Sequence, residues 1–168
     1  MKMNRETTGK NTFLRAGAAV LLLCCLLFGL AGAEVRLTEE TDVLLPDGVH
    51  RLTLPGGMVS LTPDADEPDL KGIFLREPDL EMLVFAYAAH GATAESLAQA
   101  LAAAGRDAQV RDIHGERFLV YRDRDEADGT PCVGYGYMYG DWLIEISFFY
   151  STQEAADLTK TIMESFHQ

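Results

Sequence analysis

The stretch from Cys132 to Phe149 constrains the fold more than any other part of the sequence. Two apolar runs flank Gly140-Asp141, a dipeptide suited to a two-residue β-hairpin turn. A turn there places large apolar side chains on one face, in cross-strand pairs: Tyr139 and Trp142, Tyr137 and Ile144, Tyr135 and Ile146, Val133 and Phe148. The other face holds a second set, in which small and polar residues are common: Cys132, Gly134, Gly136, Met138, Leu143, Glu145, Ser147 and Phe149. Because a slip of one residue would mix the two sets, the sequence predicts this register.

A second hairpin precedes the first. His114-Gly115 forms a two-residue turn between Ala108–Ile113 and Glu116–Asp123, with glycine where a primed turn needs it. In this register Asp112 faces Arg117, so opposite charges can pair across the strands. His114 is expected to be exposed at the turn, and we take it as one candidate binding residue.

Shorter strands are predicted before the first helix. They lie at His50–Leu54, Met58–Leu61, Ile73–Arg76 and Leu80–Ala88, with turns at residues 55–57 and 77–79. The last of these strands is apolar on both faces, which is typical of a central strand in a covered sheet. Residues 34–47 are acidic and show little periodicity. This indicates a loose, acidic N-terminal arm with at most a short strand at Asp42–Leu45.

Two helices complete the pattern. The first runs over Ala94–Ala104, with Thr93 as the N-cap and Gly105 as a left-handed stop. The second begins at Ser151, where the segment 151–154 matches a capping box. Its apolar face comprises Ala155, Leu158, Ile162 and Phe166. Hairpins with two separated helices indicate an α+β fold, an antiparallel sheet packed with two helices as an α/β sandwich.

The N-terminus has the features of an export signal. Basic residues end at Arg15, an uncharged run of 18 residues follows, and Ala31-Gly32-Ala33 matches the pattern that signal peptidase cleaves. We therefore predict a signal peptide at residues 1–33 and a single exported domain at residues 48–168, in the periplasm, another extracytoplasmic compartment or the medium. The alternative is an uncleaved membrane anchor, since 18 residues can just span a bilayer. A lipid anchor at Cys24 or Cys25 is disfavoured, because the preceding residue is not small.

The net charge excludes some classes of partner. Residues 1–33 hold four basic residues and one acid, so the remaining 135 residues carry ten basic and 25 acidic residues, a formal charge of −15. Such a surface repels phosphate, which argues against nucleic acid and against an anionic membrane surface. Charge favours a basic protein or envelope component as the partner.

The aromatic face of the Cys132–Phe149 hairpin is the first candidate site. Its four aromatic residues near the turn can stack on sugars, bases or proline-rich peptides: Tyr135, Tyr137, Tyr139 and Trp142. The alternative is burial in the core, which we favour for Tyr135 and Tyr137 because their neighbours are core residues. Tyr139 and Trp142 flank the turn and are the predicted binding residues. Gly134 and Gly136 indicate that a helix or a ligand approaches the opposite face closely.

Acidic loops are the second candidate site. Asp123, Asp125 and Asp128 precede Gly129 in a pattern similar to a calcium loop, but one residue is inserted and the bidentate glutamate is missing. The loop Asp64–Asp69 is also acidic, and its proline opposes the curl that a calcium loop needs. A solvated loop is the alternative at both places. Calcium is the one cofactor for which the sequence offers ligands, but the leading expectation is that the protein binds no cofactor.

Catalytic motifs are missing from the sequence. The spacing of the four histidines does not match a metal-binding motif: His50, His90, His114 and His167. The sequence also has no nucleophile elbow and no glycine-rich phosphate loop. Cys132 is the one cysteine outside residues 1–33, so the domain has no internal disulfide. We expect Cys132 to be a small buried strand residue rather than a nucleophile. No catalytic residue is assigned, although a triad assembled from distant residues would escape such a search.

Three segments resemble a known family. RLTLPGG (Arg51–Gly57) is similar to the strand and Pro-Gly turn that open PsbP-like domains, and TAESLAQAL (Thr93–Leu101) is similar to their first helix. The segment Tyr137–Phe166 resembles their closing hairpin and terminal helix. The resemblance covers residues 48–167 as a pattern of elements, and it extends to bacterial periplasmic members of the DcrB type. It implies a non-enzymatic accessory or binding module outside the cytoplasm, with no shared catalytic residues to transfer.

Two functions therefore stay open. The first is an exported, acidic, non-enzymatic binding or accessory module of the cell envelope or extracellular space. The second is a small extracytoplasmic hydrolase without a recognisable motif. Converging titratable side chains would favour the hydrolase, whereas an apolar surface patch would favour the binding module.

Overall fold

The computed structural model describes residues 34–125 and 127–168, so the predicted signal peptide lies outside the described residues. In this part, strands and helices follow in the order β1 (Glu34–Arg36), β2 (Thr41–Leu44), β3 (Arg51–Leu54), β4 (Val59–Leu61), β5 (Leu70–Arg76), β6 (Leu80–Ala88), α1 (Ala94–Ala103), β7 (Asp107–Ile113), β8 (Glu116–Arg124), β9 (Pro131–Tyr139), β10 (Trp142–Tyr150) and α2 (Gln153–Glu164). Neither helix within these ranges is long and apolar enough to cross a membrane.

Eight of the strands form one antiparallel sheet, in the order β1-β4-β5-β6-β10-β9-β8-β7. The strands β2 and β3 form a separate two-stranded ribbon. Strand β6 lies between β5 and β10, and Met82 to Ala86 are buried, as its apolar sequence predicts. The predicted α+β fold, with an antiparallel sheet and two helices, is confirmed.

The β9–β10 hairpin has the predicted register along its length, from Tyr139 opposite Trp142 to Cys132 opposite Phe149. The β7–β8 hairpin also has the predicted register, with Asp112 opposite Arg117. These two residues use other partners, however. Arg117 contacts Glu95 of α1 at 2.5 Å, and Asp112 accepts the Gly115 N–H, as short acidic side chains do in turns.

The sheet has two differently covered faces. Its inner face packs against the β2–β3 ribbon and α2, and this core includes Leu52, Leu54, Ile146, Phe148 and Ile162. Burial of each such side chain contributes about 1.5–3 kcal/mol to stability. On the outer face, α1 covers the β7–β9 side, where Ala98 packs with Leu119. Because the ribbon lies over the inner face without joining the sheet, a space can open between them.

The helices begin as their capping residues dictate. Thr93 caps α1 and forms a capping box with Ser96, and Gly105 follows the helix at a φ of 81°, as predicted. The predicted start of α2 at Ser151 is wrong by one residue. Thr152 is the N-cap and accepts the Ala155 N–H. The predicted capping box is absent because Thr152 is the cap and the residue three positions later is Ala155, which has no polar side chain to return to the cap; Glu154 contacts Arg76 at 2.7 Å.

The segment 34–47 is more ordered than its composition indicates. It supplies β1, which pairs with β4, and β2, which pairs with β3, and Leu45 is buried in the core. The prediction of a loose N-terminal arm is therefore wrong for residues 34–47. The strands on either side of the 55–57 turn exist as predicted, but β3 and β4 do not pair with each other because each has a different neighbour.

Candidate binding cleft

A buried hydrogen-bonded cluster fixes the turn between β2 and β3. The Asp47 side chain is fully buried, and its Oδ2 accepts hydrogen bonds from the Tyr137 hydroxyl at 2.5 Å and from His50 Nδ1 at 2.6 Å. Its Oδ1 accepts the N–H groups of Val49 and His50 at 2.9 and 3.0 Å. The backbone contacts are those of an aspartate in a turn, whereas Tyr137 belongs to β9. The carboxylate thus ties residues 45–50 to the sheet.

The hydrogen bonds of this cluster set its protonation. Burial alone raises the pKa of Asp47, but the bonds from Tyr137, Val49 and His50 outweigh burial and hold the pKa below its ordinary 3.8. The carboxylate is therefore ionised at neutral pH and can only accept, so His50 Nδ1 carries a proton. Burial raises the pKa of Tyr137, and the bond to Asp47 raises it further.

The His50 ring is packed rather than presented to solvent. It is 2% exposed and stacks on Phe166 with ring centroids 4.7 Å apart. Tyr137 and Tyr139 meet the ring edge-on. Its Nε2 lies 3.4 Å from Gln168 Nε2 and 3.9 Å from Glu116 Oε1. These contacts hold the His50 ring in place against Tyr139 and give it a structural role.

A cleft of about 350 Å³ opens beside this turn, between β2 and the inner face of the sheet. Its walls come from β2 and the following turn, from β5 and β6, and from the β9–β10 hairpin: Val43, Leu44, Leu45, Pro46, Asp47, Lys71, Gly72, Phe74, Val84, Ala86, Tyr139, Trp142 and Ile144. The lining is mainly apolar, and this volume is near the lower end of the roughly 300–1,000 Å³ usual for ligand sites. The cleft suits a small apolar group.

Exposed apolar side chains border the cleft. Trp142 is 51% exposed, Leu44 is 47% exposed and Tyr139 is 40% exposed. Tyr139 and Trp142 are two of the three residues that the sequence predicts for binding, and the structure places both at one cleft. Tyr137 and Tyr135 instead point into the core, as predicted, and Tyr137 is 1% exposed. Binding by Tyr139 and Trp142 stays a prediction.

His114, the third predicted binding residue, does not line this cleft. It is exposed in the β7–β8 turn at a φ of 52°. Its Nε2 lies 2.8 Å from the carbonyl oxygen of Glu164, the last residue of α2. Helix ends leave carbonyl groups without helical partners, and histidine often binds them. The contact gives His114 a structural role at the end of α2.

The three predicted calcium ligands have separate partners. Asp123 forms an ion pair with Arg106, Asp125 accepts the Ala127 N–H, and Asp128 accepts the Thr130 N–H. The last two bonds are those of turn aspartates. Within residues 34–125 and 127–168, no group of three or more acidic, histidine or cysteine side chains is arranged to hold a metal ion.

The glycine-bearing face of β9 is occupied by the protein itself. A Cβ added at Gly134 would lie 2.2 Å from the Tyr121 ring, so the close approach comes from a side chain of the neighbouring strand β8 and not from a helix or a ligand. The Tyr121 hydroxyl donates to Glu145 at 2.7 Å. Cys132 is buried on this face, as predicted, and burial together with nearby carboxylates raises the pKa of its thiol to about 12.

Sequence reasoning missed the Asp47–His50 pair. The signal available was the Pro-Asp-Gly turn at residues 46–48, which favours an aspartate that binds its own backbone. The contact with Tyr137 had no signal, because the two residues are 90 positions apart.

No protein-family model matches the chain, and no curated protein does. Among solved structures, the chain is similar to cyanobacterial PsbP (CyanoP) from Synechocystis sp. PCC 6803, with a TM-score of 0.58 and 17% identity over 83% of this chain and 98% of that one. It is also similar to a Bacteroides thetaiotaomicron VPI-5482 protein, with a TM-score of 0.54 and 12% identity over 77% of this chain and 48% of that one. The chain therefore corresponds to about half of the second protein.

These similarities show that the chain has a PsbP-like fold, as the resemblance of its segments predicts. The narrower resemblance to DcrB-type proteins stays a prediction.

Proposed function

We propose that this chain is an exported, non-enzymatic binding or accessory module of the cell envelope or extracellular space, which holds an apolar group of its partner in the cleft beside β2. The observation that carries the proposal is the apolar cleft bordered by the exposed side chains of Leu44, Tyr139 and Trp142. A concave apolar site with exposed aromatic groups is typical of binding surfaces. The PsbP-like fold agrees with such a module, although a fold alone does not define a function.

The contacts of the buried Asp47–His50 pair also favour binding over hydrolysis. A hydrolase would need a nucleophile beside His50 and Asp47. In the described part of the chain, the polar partners of the His50 ring are Asp47, Glu116 and Gln168. The Cys132 thiol, with its pKa near 12, is protonated at neutral pH and is a poor nucleophile.

A neutral apolar dye, N-phenyl-1-naphthylamine, tests the cleft. We expect its fluorescence to rise on binding, because the lining excludes water. Leu44→Glu should abolish most of this rise by placing a charge at the mouth. Val35→Glu is the matched control, since Val35 is 56% exposed but lies on β1 outside the cleft. Equal dye binding by both variants would disprove the proposed site.

Export needs its own test. The Ala31-Gly32-Ala33 pattern predicts that the mature chain begins at Glu34. Intact-mass spectrometry of the protein from the producing cells' envelope and medium should show this N-terminus. A chain that retains residues 1–33 in the membrane fraction would support the anchor instead, and a full-length chain in the cytoplasm would contradict export.

A further inference from the structure

The edge of β2 that borders the cleft is open. Within the described residues β2 pairs with β3 alone, so its second edge has no strand partner. Successive side chains of a strand point to opposite faces. Val43 and Leu44 both line the cleft, whereas no residue of β3 (Arg51–Leu54) does, so the cleft lies on the side of β2 away from β3. An open strand edge can hydrogen-bond to an added extended segment.

Two acidic residues lie beside the cleft, at the end of the sheet where β5 and β10 begin and β6 ends. The Asp69 carbonyl accepts the N–H of Ala86, a lining residue, at 2.9 Å, and Asp141 directly precedes Trp142. Both acids are exposed. Three more acids belong to the same loop as Asp69: Asp64, Asp66 and Glu67.

Positive charge is scarce at the same place. Lys71 is the one basic side chain among the lining residues, and its ammonium group donates to the Pro68 carbonyl. Lys71 keeps its charge, but the four acids of the 64–69 loop and Asp141 outnumber it, so the surroundings of the cleft are net negative and complement a positive ligand.

We propose that the cleft binds an extended basic segment of a partner protein, which pairs with the open edge of β2 as a third strand. One apolar side chain of the segment enters the cleft, and its Lys or Arg side chains lie beside Asp69 and Asp141. Main-chain hydrogen bonds then supply affinity, and the cleft and the acids supply specificity. This inference rests on the proposed function, because it names the occupant of the same cleft.

Three labelled peptides separate these contributions in a fluorescence anisotropy titration of the purified protein. The first is acetyl-KVKFKVK-amide, and the second is acetyl-EVEFEVE-amide, which keeps the apolar residues and reverses the charge. The third is the first peptide N-methylated at its second, third, fifth and sixth residues, which keeps every side chain and the charge but removes strand N–H donors from both edges. We expect the first to bind about tenfold more tightly than either of the others, with an affinity that falls as salt is added.

A paired set of variants localises the charge effect. Asp69→Asn with Asp141→Asn should weaken binding of the basic peptide and flatten its salt dependence. Glu77→Gln with Glu154→Gln is the matched control, because these exposed acids lie after β5 and at the start of α2, away from the lining residues. A similar loss in both double variants would overturn the proposed contact, since it would reflect net charge alone.

The outcomes distinguish the two proposals. If the dye binds and Leu44→Glu removes it, but the peptides bind equally or not at all, the cleft takes a small apolar ligand and the basic-segment inference is wrong. If the protein forms a dimer that excludes the peptides, the occupant is a second copy and the inference is again wrong. If neither dye nor peptide responds to Leu44→Glu, the proposed function fails as well.

Discussion

Tyr137 and Asp47 lie 90 positions apart in the sequence and share a hydrogen bond of 2.5 Å that joins β9 to the turn after β2. Tyr137 is 1% exposed, and the Asp47 side chain is fully buried. The bond therefore links the middle of the sheet to one wall of the cleft, and the position of that wall depends on it.

Removing the tyrosine hydroxyl should destabilise the protein. Tyr137→Phe leaves a buried carboxylate oxygen with one donor fewer, and such a loss costs about 1–3 kcal/mol. Urea unfolding followed by far-ultraviolet circular dichroism measures the change. Tyr135→Phe is the control, because Tyr135 packs beside the same core and its hydroxyl has no hydrogen bond within the described residues. Equal midpoints for the two variants would contradict the assigned bond.

The Asp47 carboxylate should make stability depend on pH in the acid range. Its pKa is lower in the folded protein than the ordinary 3.8, because its hydrogen bonds outweigh the effect of burial. Its contribution is therefore complete above the unfolded-state pKa and is lost as the pH falls through the folded-state pKa. The difference in unfolding free energy between wild type and Asp47→Asn should be largest near neutral pH and shrink below pH 3.8. A difference that is constant with pH would show that Asp47 is not the titrating group.

A side chain at Gly134 should clash with Tyr121. The added Cβ would lie 2.2 Å from the ring, so Gly134→Ala forces Tyr121 away from Glu145. We expect a loss of about 1–3 kcal/mol, as for other overpacked sites. Gly136→Ala is the control, because its Cβ meets a flexible Leu143 methyl group at 3.0 Å. The cost of Gly134→Ala should fall in a Tyr121→Leu background, and an unchanged cost would assign the effect to the backbone.

Calcium provides a test of the loop that contains Asp123, Asp125 and Asp128. The structure predicts no change in melting temperature on adding Ca²⁺, because Asp123 is paired with Arg106 and the other two carboxylates bind backbone N–H groups. A rise in melting temperature that vanishes on changing all three to asparagine would establish a calcium site and refute this expectation. Differential scanning calorimetry with and without a chelator measures the effect.

The sequence predicts the β9–β10 hairpin because all its determinants are local. The Gly140-Asp141 turn and the alternation of large and small side chains permit one register, and the structure has it. The placement of Tyr139 and Trp142 at the end of this hairpin follows from the same pattern. The start of α2 is harder to predict, because Ser151 and Thr152 are both good caps and the Ser-x-x-Glu pattern at residues 151–154 favours the first of them.

The sequence alone does not predict the cleft. The cleft exists because β3 pairs with β2 outside the main sheet, whereas β4 pairs with β1 and β5 within it. The residues of the 55–57 turn do not distinguish this arrangement from a simple β3–β4 hairpin. The turn after β2, which forms one wall of the cleft, is held by the hydrogen bond from Tyr137 of β9 to Asp47, and these residues are far apart in the sequence. Pairing choices between short strands depend on tertiary packing, which a single sequence does not display.

Trp142 is the only tryptophan in the 168 residues, and it is half exposed at the mouth of the cleft. Fluorescence excited at the red edge of the protein's absorption band, where tyrosine does not absorb, therefore comes from this one indole on the surface. A partner that covers this point removes water from the indole and shifts the emission to shorter wavelengths. Unfolding moves the half-covered indole fully into water, so it shifts the emission to longer wavelengths. The protein thus carries an intrinsic optical reporter in which occupancy and unfolding shift the emission in opposite directions.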